Sequence, residues 1–204
     1  MKLGIIDLET GNITSLVAAI HKLNLSFKIC KSSFDFENVD KIILPGVGAF
    51  KDFMNKIKIK KIDKLIEKKI DKNIPLLGIC VGFQVLFQNS NEFGESNGLS
   101  YLCGEIKSFK DFSNSTKIPH VGWNECKIIN QNKLFDGIPS NSDFYFTHSY
   151  LLKSSDSDII LTKTNYDIDF VSSINKNNIY GVQFHPEKSQ SNGLKLLKNF
   201  CDNC

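Results

Sequence analysis

The sequence predicts an α/β fold in which a mostly parallel central sheet is flanked by helices and extended by antiparallel strands in the second half. From residue 1 to about 90, short apolar runs alternate with segments of helical spacing, the order that produces a parallel sheet covered by helices on both faces. From residue 117 onward, short β-branched and aromatic runs follow one another. The 204 residues suit one domain spanning 1–204.

The elements of the first half follow from the period of their apolar residues. The predicted strands are apolar runs that stop at turn residues, at 2–7, 26–30, 41–45 and 74–80. The predicted helices repeat apolar residues every three to four positions, at 12–23 with Asn12 as the N-cap, at 63–70 and at 83–89. The lysine-rich runs 56–61 and 67–72 indicate the solvated face of one or two helices.

The second half is predicted to consist of short strands and one final helix. The strands are predicted at 117–129, 143–152, 158–164, 170–174 and 179–184. Residues 174–179 have the composition of a hairpin turn between the last two strands. Residues 191–200 return to helical spacing and predict the final helix.

Composition excludes several classes of protein. A formal net charge of +3 with dispersed basic residues is too small to indicate a nucleic-acid partner. All 25 basic residues are lysine, so carboxylates and phosphates must be recognised by ammonium groups, hydroxyls or backbone N–H groups. No apolar run approaches the roughly 18 residues of a membrane span. The first apolar run breaks at Asp7 and is too short for a signal peptide, so we expect a cytoplasmic protein.

Six cysteines are expected to be reduced thiols in that compartment. Cys30, Cys103 and Cys126 are predicted to be small core residues. Cys201 and Cys204 form a C-x-x-C pair, but no second pair stands at zinc-binding spacing. The sequence therefore predicts neither a metal site nor a cofactor.

The segment Gly78-Ile79-Cys80-Val81-Gly82 stands where a predicted strand becomes a helix. A tight strand-to-helix turn lifts its central side chain out of the sheet, and glycines suit the crowded flanking positions. Cys80 would then sit at a helix N-terminus, which favours its thiolate, beside a Val81 N–H that is free to bind an oxyanion. A buried cysteine between two incidental glycines is an equally good interpretation of this segment alone.

A thiol nucleophile needs a base, and histidine is the usual one. His21 lies in a predicted helix and is expected to be structural or exposed, whereas His120 and His148 could lie in strands or in a pocket. His185 follows a strand that a proline ends, with Glu187 two positions further on. Strand ends are where α/β folds place their sites, so this pair could be a base and its orienting group. A surface turn histidine is the alternative for His185.

Taken together, these motifs resemble a class I, triad-type glutamine amidotransferase. The closer resemblance is to the stand-alone glutaminase subunits of imidazole glycerol phosphate synthases, which serve histidine biosynthesis. The matching segments run nearly end to end and imply a flavodoxin-like glutaminase fold. They are IID, GN at 11–12, ILPGVGAF, GICVGFQVLF at 78–87, PHVGWN at 119–124, FTHSY at 146–150 and GVQFHPEKS at 181–189.

The resemblance implies a thiol glutaminase with a triad of Cys80, His185 and Glu187. Cys80 would attack the side-chain amide of glutamine, and His185 would pass a proton to the leaving ammonia. Glu187 would orient His185. The oxyanion would be bound by the N–H groups of Val81, Val47 and Gly48.

The resemblance also implies a glutamine site and a partner subunit. Glu92 would pair with the substrate ammonium, and the full set of glutamine-holding positions is Gly46, Gln84, Glu92, His148, Ser149 and Tyr150. The ammonia would pass to a separate (β/α)8-barrel cyclase in a heterodimer making imidazole glycerol phosphate and AICAR, because the chain leaves no room for a fused synthase. Trp123, the only tryptophan, is expected to be an exposed anchor, with a core position as the alternative. The implied partner face comprises Asn12, Lys117, Trp123, Asn124 and Lys188.

Four positions depart from the usual family pattern. Leu8 and Glu9 stand where the family usually has tyrosine and glycine, and Thr14 and Lys117 stand where arginine is common. These positions lie toward the partner face in the family, so they affect the choice of partner more than the chemistry. The alternatives are a relative that serves surface-sugar amidation, a γ-glutamyl thiol hydrolase and, last, a catalytically silent binding scaffold.

Overall fold

The computed structural model describes residues 2–9, 13–153 and 155–204. The strands in this part of the chain are β1 (Leu3–Ile6), β2 (Phe27–Cys30), β3 (Lys41–Gly46), β4 (Leu76–Cys80), β5 (Asn89–Ser90), β6 (Ser96–Asn97), β7 (Glu105–Ser108), β8 (His120–Ile128), β9 (Ser142–His148), β10 (Tyr150–Leu152), β11 (Ile160–Tyr166), β12 (Ile168–Lys176) and β13 (Ile179–Val182). The α-helices are α1 (Thr14–Lys22), α2 (Phe50–Ile59), α3 (Ile62–Ile70), α4 (Val81–Gln84) and α5 (Gln190–Asn203).

The centre of the sheet is parallel, as the alternation of strands and helices predicts. Strands β2, β1, β3, β4 and β13 lie side by side in this order, and each adjacent pair is parallel. Gly46 at the end of β3 pairs with Cys80 at the end of β4, and Ile79 pairs with Val182 near the end of β13. The carboxyl ends of three neighbouring strands therefore meet at one edge, where α/β sheets place their sites.

The second half extends this sheet with antiparallel strands, which confirms the mixed fold class. β13 returns from β12 through a two-residue turn at Asn177 and Asn178, where the sequence predicts a hairpin. β12 continues the sheet to β10 and β11, and β11 pairs with β8. The predicted strand 143–152 is two strands that separate at Ser149, because β9 pairs with β8 whereas β10 pairs with β7 and β12.

The helix predicted at 83–89 is wrong in length. Helix α4 is a single turn that ends at Gln84. The carbonyl of Val85 accepts a hydrogen bond from the N–H of Leu99 at 2.7 Å, and that of Leu86 accepts one from Leu102 at 3.1 Å. In a longer helix these carbonyls would accept from N–H groups of the helix itself. Because distant residues supply the donors instead, the helix stops at Gln84. Val85 and Leu86 are nevertheless buried, as their apolar side chains predict.

The other helix predictions hold. The lysine runs lie on the exposed and half-exposed faces of α2 and α3, opposite buried isoleucines and phenylalanines. Helix α1 begins at Thr14, and its predicted cap Asn12 lies outside the described residues. Within the described ranges, no helix is long and apolar enough to cross a membrane.

The cysteines divide into buried and accessible thiols. Cys30 and Cys126 are buried, as predicted for core residues. Cys103 is exposed, so its predicted core position is wrong: Leu102 fills the core, and Cys103 lies in the loop that enters β7. No cluster of three or more metal-ligating side chains occurs in 2–9, 13–153 or 155–204.

Candidate functional site

Cys80 stands on the strand-to-helix turn that the glycine spacing predicts. It is the last residue of β4, has φ 54° and ψ −110°, and is followed directly by α4. A Cβ atom on Gly78 would lie 2.6 Å from the carbonyl oxygen of Gly82, and a Cβ atom on Gly82 would collide with the carbonyl oxygen of Leu44. Both flanking positions therefore admit only glycine, and Cys80 holds a conformation that is unfavourable for a residue with a side chain.

His185 and Glu187 form a buried pair just after β13. The Nδ1 atom of His185 lies 2.7 Å from Oε1 of Glu187. The His185 backbone is held by its N–H, which donates to the Tyr145 carbonyl at 2.8 Å, and by its carbonyl, which accepts from the Ser189 hydroxyl at 2.6 Å. Its Nε2 atom is buried and has no hydrogen-bond partner among the described residues, so it is the ring atom available for proton transfer.

The protonation state of His185 is set by its neighbours. Burial by itself lowers the pKa of His185, but the adjacent Cys80 sulfur and the Glu187 carboxylate outweigh it and raise that pKa to about 10. Opposite charges close to an imidazole favour its cationic form. The arrangement therefore supports a protonated His185 next to the Cys80 sulfur at neutral pH.

Cys80 and His185 line the same cavity, which has a volume of about 170 Å³. We call it the Cys80 cavity. Thr147 lines it without having been predicted, and its carbonyl lies 3.9 Å from the Cys80 sulfur. The remaining lining residues are all predicted ones: Val47, Gly48, Val81, Gln84, Glu92, His148, Ser149 and Tyr150.

Gly46 does not line the Cys80 cavity, although the family resemblance places it among the glutamine-binding residues. It lines a smaller neighbouring cavity of about 30 Å³, together with Glu187. A Cβ atom on Gly46 would lie 2.6 Å from the ring of Phe53 and 2.8 Å from the backbone nitrogen of Gly82. Its observable role is thus to let β3, α2 and the turn after Cys80 approach one another closely.

The predicted oxyanion donors lie on two sides of Cys80. Val81 is the first residue of α4, and the first N–H groups of a helix have no intrahelical acceptor. Val47 and Gly48 follow β3, and Gly48 has φ 98°, a conformation that glycine adopts without cost. Val81 on the elbow and Val47 and Gly48 on the β3–α2 loop therefore border the cavity from two sides.

Gln84 is held firmly by its amide nitrogen. Its Nε2 donates to the carbonyl of Tyr150 at 3.0 Å and to Oε1 of Gln183 at 3.1 Å. In turn, Nε2 of Gln183 lies 3.9 Å from the Cys80 sulfur. Sequence analysis missed Gln183, although its place just after β13 and two residues before His185 was a usable signal. Gln183 is thus a hydrogen-bond donor directed at the thiol.

Glu92 lies in the short loop between β5 and β6 and lines the Cys80 cavity. One of its carboxylate oxygens accepts a hydrogen bond from the N–H of Phe50, the first residue of α2, at 2.6 Å. Burial and the nearby charge of Asp52 raise the pKa of Glu92, although the Phe50 N–H acts in the opposite direction. A carboxylate at this position offers a negative charge to a cation bound in the cavity.

The predicted partner residues that the structure describes are exposed or half-buried. Trp123 is 46% exposed and packs edge-on against Tyr145, and Lys188 lies over the same ring at 5.6 Å. Lys117 is exposed. Asn124 is half-buried, and its amide donates to the carbonyl of Asn165 at 2.8 Å. Asn12 lies outside the described residues.

The chain belongs to the class-I glutamine amidotransferase family, whose model matches residues 4–204. Its relatives include imidazole glycerol phosphate synthase subunits HisH. The subunit HisH 1 of Campylobacter jejuni strain 81-176 is 42% identical over 199 residues, covering 97% of this chain and 98% of that protein. The subunit HisH of Methanocaldococcus jannaschii is 44% identical over 200 residues, covering 98% of each.

Solved structures share the fold at lower identity. The structure of PurLQS from Thermotoga maritima has a TM-score of 0.78 at 16% sequence identity, covering 98% of this chain and 97% of that one. At such identity the likeness concerns the fold alone.

Proposed function

We propose that this chain is the glutaminase subunit of an imidazole glycerol phosphate synthase. It hydrolyses L-glutamine to glutamate and ammonia, and the ammonia passes to a separate (β/α)8-barrel cyclase subunit that makes imidazole glycerol phosphate and AICAR. The observation that carries this proposal is that Cys80 and the His185 imidazole, which Glu187 orients, line one cavity. The HisH relatives support the choice of pathway.

In the first step, the Cys80 thiolate attacks the side-chain amide carbon of glutamine. The carbonyl π electrons move to the oxygen, and the resulting oxyanion is stabilised by the N–H groups of Val81 and of the loop at Val47 and Gly48. The tetrahedral intermediate then collapses and its C–N bond breaks. His185 gives its Nε2 proton to the leaving nitrogen, so ammonia departs and a thioester remains.

In the second step, neutral His185 removes a proton from water at Nε2. The hydroxide formed attacks the thioester carbon, the C–S bond breaks, and the sulfur leaves as the thiolate that began the cycle. Glu187 keeps the proton on Nδ1 throughout, so Nε2 remains the atom that exchanges protons. The sum is glutamine plus water giving glutamate plus ammonia, with Cys80 and His185 restored.

Glutamine recognition uses both backbone and side-chain groups of the cavity. Glu92 is the anionic group for the substrate ammonium, since one carboxylate oxygen remains after the bond to Phe50. Gln84 uses Nε2 for Tyr150 and Gln183, which leaves its Oε1 as an acceptor for a substrate N–H. The chain contains no arginine, and no lysine in the described ranges lines the Cys80 cavity, so the substrate carboxylate is bound by N–H or hydroxyl groups such as those of Ser149.

The decisive experiment separates the glutamine half-reaction from the synthase reaction. Cys80→Ser, mixed with the cyclase subunit, should release no glutamate from glutamine, yet the cyclase should still make product from added ammonium. Cys103→Ser is the matched control because that thiol is exposed and outside the cavity, and it should keep full activity. Glutamate release by Cys80→Ser would show that the nucleophile is misassigned.

A second measurement tests the coupling to the partner. The isolated chain should be a poor glutaminase whose rate rises when the cyclase and its phosphorylated substrate are added, because an uncoupled subunit would waste glutamine. Equal rates with and without the partner would contradict this coupling. Activity on γ-glutamyl peptides but not on free glutamine would replace the proposal with a thiol hydrolase.

A further inference from the structure

Two buried histidines, His148 in the wall of the Cys80 cavity and His120 behind it, take no part in the chemistry above. His120 is 2% exposed and His148 is 6% exposed. They pair across β8 and β9, and Nδ1 of His120 lies 3.0 Å from Nε2 of His148. A buried polar pair of this kind must be satisfied at every atom, or it costs stability.

The hydrogen-bond direction along this pair follows from its inner end. Nδ1 of His148 lies 2.8 Å from the carbonyl oxygen of Tyr150, which can only accept, so this nitrogen carries a proton. In a neutral His148, Nε2 is then an acceptor, so Nδ1 of His120 carries the proton that it donates to Nε2. Both rings are therefore Nδ1–H tautomers.

The outer end is consistent with the same direction. Nε2 of His120, the remaining acceptor, lies 3.3 Å from Nδ2 of Asn124. The orientation of the Asn124 amide is fixed independently, because Oδ1 accepts from the N–H of Glu125 at 2.8 Å and Nδ2 donates to the carbonyl of Asn165 at 2.8 Å. Every hydrogen bond from Asn124 to Tyr150 thus points inward.

The pair is also fixed in protonation and in orientation. Burial lowers the pKa of His120 to about 4, and burial together with the charges of His120 and His185 lowers that of His148 to about 3. The His120 ring is stacked between Tyr166 at 4.0 Å and Phe146 at 4.8 Å, with both interplanar angles at 21°. Both imidazoles are therefore neutral near neutral pH. The His120 ring, in addition, cannot rotate without breaking its stacking on Tyr166 and Phe146.

The Tyr150 carbonyl joins the pair to the catalytic cavity. It accepts from His148 and also from Gln84, whose Nε2 donates in addition to Gln183. The series directed inward from Asn124 therefore ends at the Tyr150 carbonyl, where Gln84 begins a second series that runs through Gln183 to the Cys80 sulfur.

We propose that His120 is a positioning residue for glutamine: through His148 it holds the Tyr150 carbonyl, which in turn orients the Gln84 amide in the Cys80 cavity. This inference rests on the proposed function, since glutamine is the ligand whose site is positioned. His120 does not touch the substrate and transfers no proton. Its contribution is a fixed donor at Nδ1.

Two substitutions separate this role from simple packing. His120→Phe keeps an aromatic ring between Tyr166 and Phe146 but removes the donor, leaving Nε2 of His148 buried and unpaired. His120→Asn loses the stacking but places its amide Nδ2 where the imidazole Nδ1 stood. Leaving a buried acceptor unpaired corresponds to roughly a five- to hundredfold effect on an equilibrium.

The first readout is glutamine affinity by calorimetry in the inactive Cys80→Ser background. His120→Phe should weaken glutamine binding about tenfold or more, whereas the affinity of His120→Asn should stay within about threefold of the parent. The control His21→Phe, at an exposed position, should bind glutamine as tightly as the parent. Tight binding by His120→Phe, or equal loss in both His120 variants, overturns the inference. Absence of glutamine binding in the parent itself would instead overturn the proposed function.

The second readout is made on the unsubstituted chain, so it depends neither on catalytic activity nor on the folding of a variant. Nitrogen-15 NMR of the histidine rings in the unsubstituted chain should show His120 and His148 as neutral Nδ1–H tautomers from pH 6 to 8. An Nε2–H tautomer or a titration of His148 in this range overturns the inference whatever the enzyme does. Thermal unfolding of each variant shows whether a loss of affinity reflects a loss of fold.

Discussion

Nδ1 of His185 lies 2.7 Å from Oε1 of Glu187, and the two residues are separated in sequence by a single proline. The ring of Pro186 fixes one backbone dihedral of the short 3₁₀ turn that carries both groups. The orienting carboxylate is therefore supplied by the same turn as the base. A substitution of Glu187 removes the orienting charge without disturbing another element of the fold.

Glu187→Gln should reduce kcat by about 10- to 100-fold, because the amide oxygen can still accept from Nδ1 while the negative charge is lost. Glu187 is one of the groups that raise the pKa of His185 to about 10. Its removal should therefore move the alkaline limb of kcat/KM to lower pH. Glutamate release between pH 7 and 10.5 measures both effects, and an unchanged alkaline limb would contradict the assignment.

Cys80→Gly should have a larger free energy of unfolding than Cys80→Ala, although both variants are inactive. Cys80 has φ 54° and ψ −110°, and strain of this kind costs about 1–3 kcal/mol in a residue with a Cβ atom. Glycine relieves the strain but adds about 0.5–1 kcal/mol of unfolded-chain entropy, so a net gain of about 1 kcal/mol is expected. Chemical denaturation of the two variants tests this, and a more stable alanine variant would refute the strain argument.

Stability should fall as the pH is lowered from about 6.5 to 5. The pKa values of His120 and His148 are lowered to about 4 and about 3 in the folded chain, so only the unfolded chain takes up protons in this window. Each group should cost about 2 kcal/mol of unfolding free energy by pH 5. His185, whose pKa is raised, stays protonated in the folded chain throughout this window, so it opposes the slope by only about 0.4 kcal/mol.

Urea denaturation at several pH values provides the measurement, with His120→Phe as the comparison. Removing one of the two buried imidazoles should make the slope between pH 6.5 and 5 about half as steep. A variant with the parent's slope would show that the protons bind elsewhere.

The fold was largely predictable because its signals are local. Parallel strands, the hairpin at Asn177 and the elbow at Cys80 each follow from the spacing of apolar residues and glycines within a few positions. The early end of α4 was not predictable, since Leu99 and Leu102 supply the donors that terminate it. Such pairings depend on contacts between distant segments.

The candidate site shows the same division. Cys80 and His185 lie in motifs that are visible in the sequence, whereas the donor from Gln183 and the carbonyl of Thr147 reach the sulfur only in the folded chain. Asn124 shows another contact that only the folded chain reveals. Its place on the partner face stays a prediction, and its amide also makes hydrogen bonds within the chain.

Trp123→Ala should weaken binding to the cyclase subunit by about 2 kcal/mol or more, because a half-exposed tryptophan is a frequent interface hot spot. The side chain is 46% exposed and contacts Tyr145 only at its edge, so the unfolding temperature of the free chain should hardly change. Calorimetric titration with the partner and thermal unfolding of the free chain are measured together. A large loss of melting temperature with unchanged affinity would assign Trp123 to the core.

The exposed thiol of Cys103 makes this chain suitable for selective labelling. Cys80, Cys30, Cys126 and Cys201 are buried and Cys204 is half-buried, so a bulky maleimide dye should attach to Cys103 first. Labelled in this way, the subunit would carry a fluorophore outside the Cys80 cavity, which could report encounters with other proteins while the nucleophile stays unmodified. Conversely, any count of reactive sulfhydryls includes this accessible group unless it is replaced by serine.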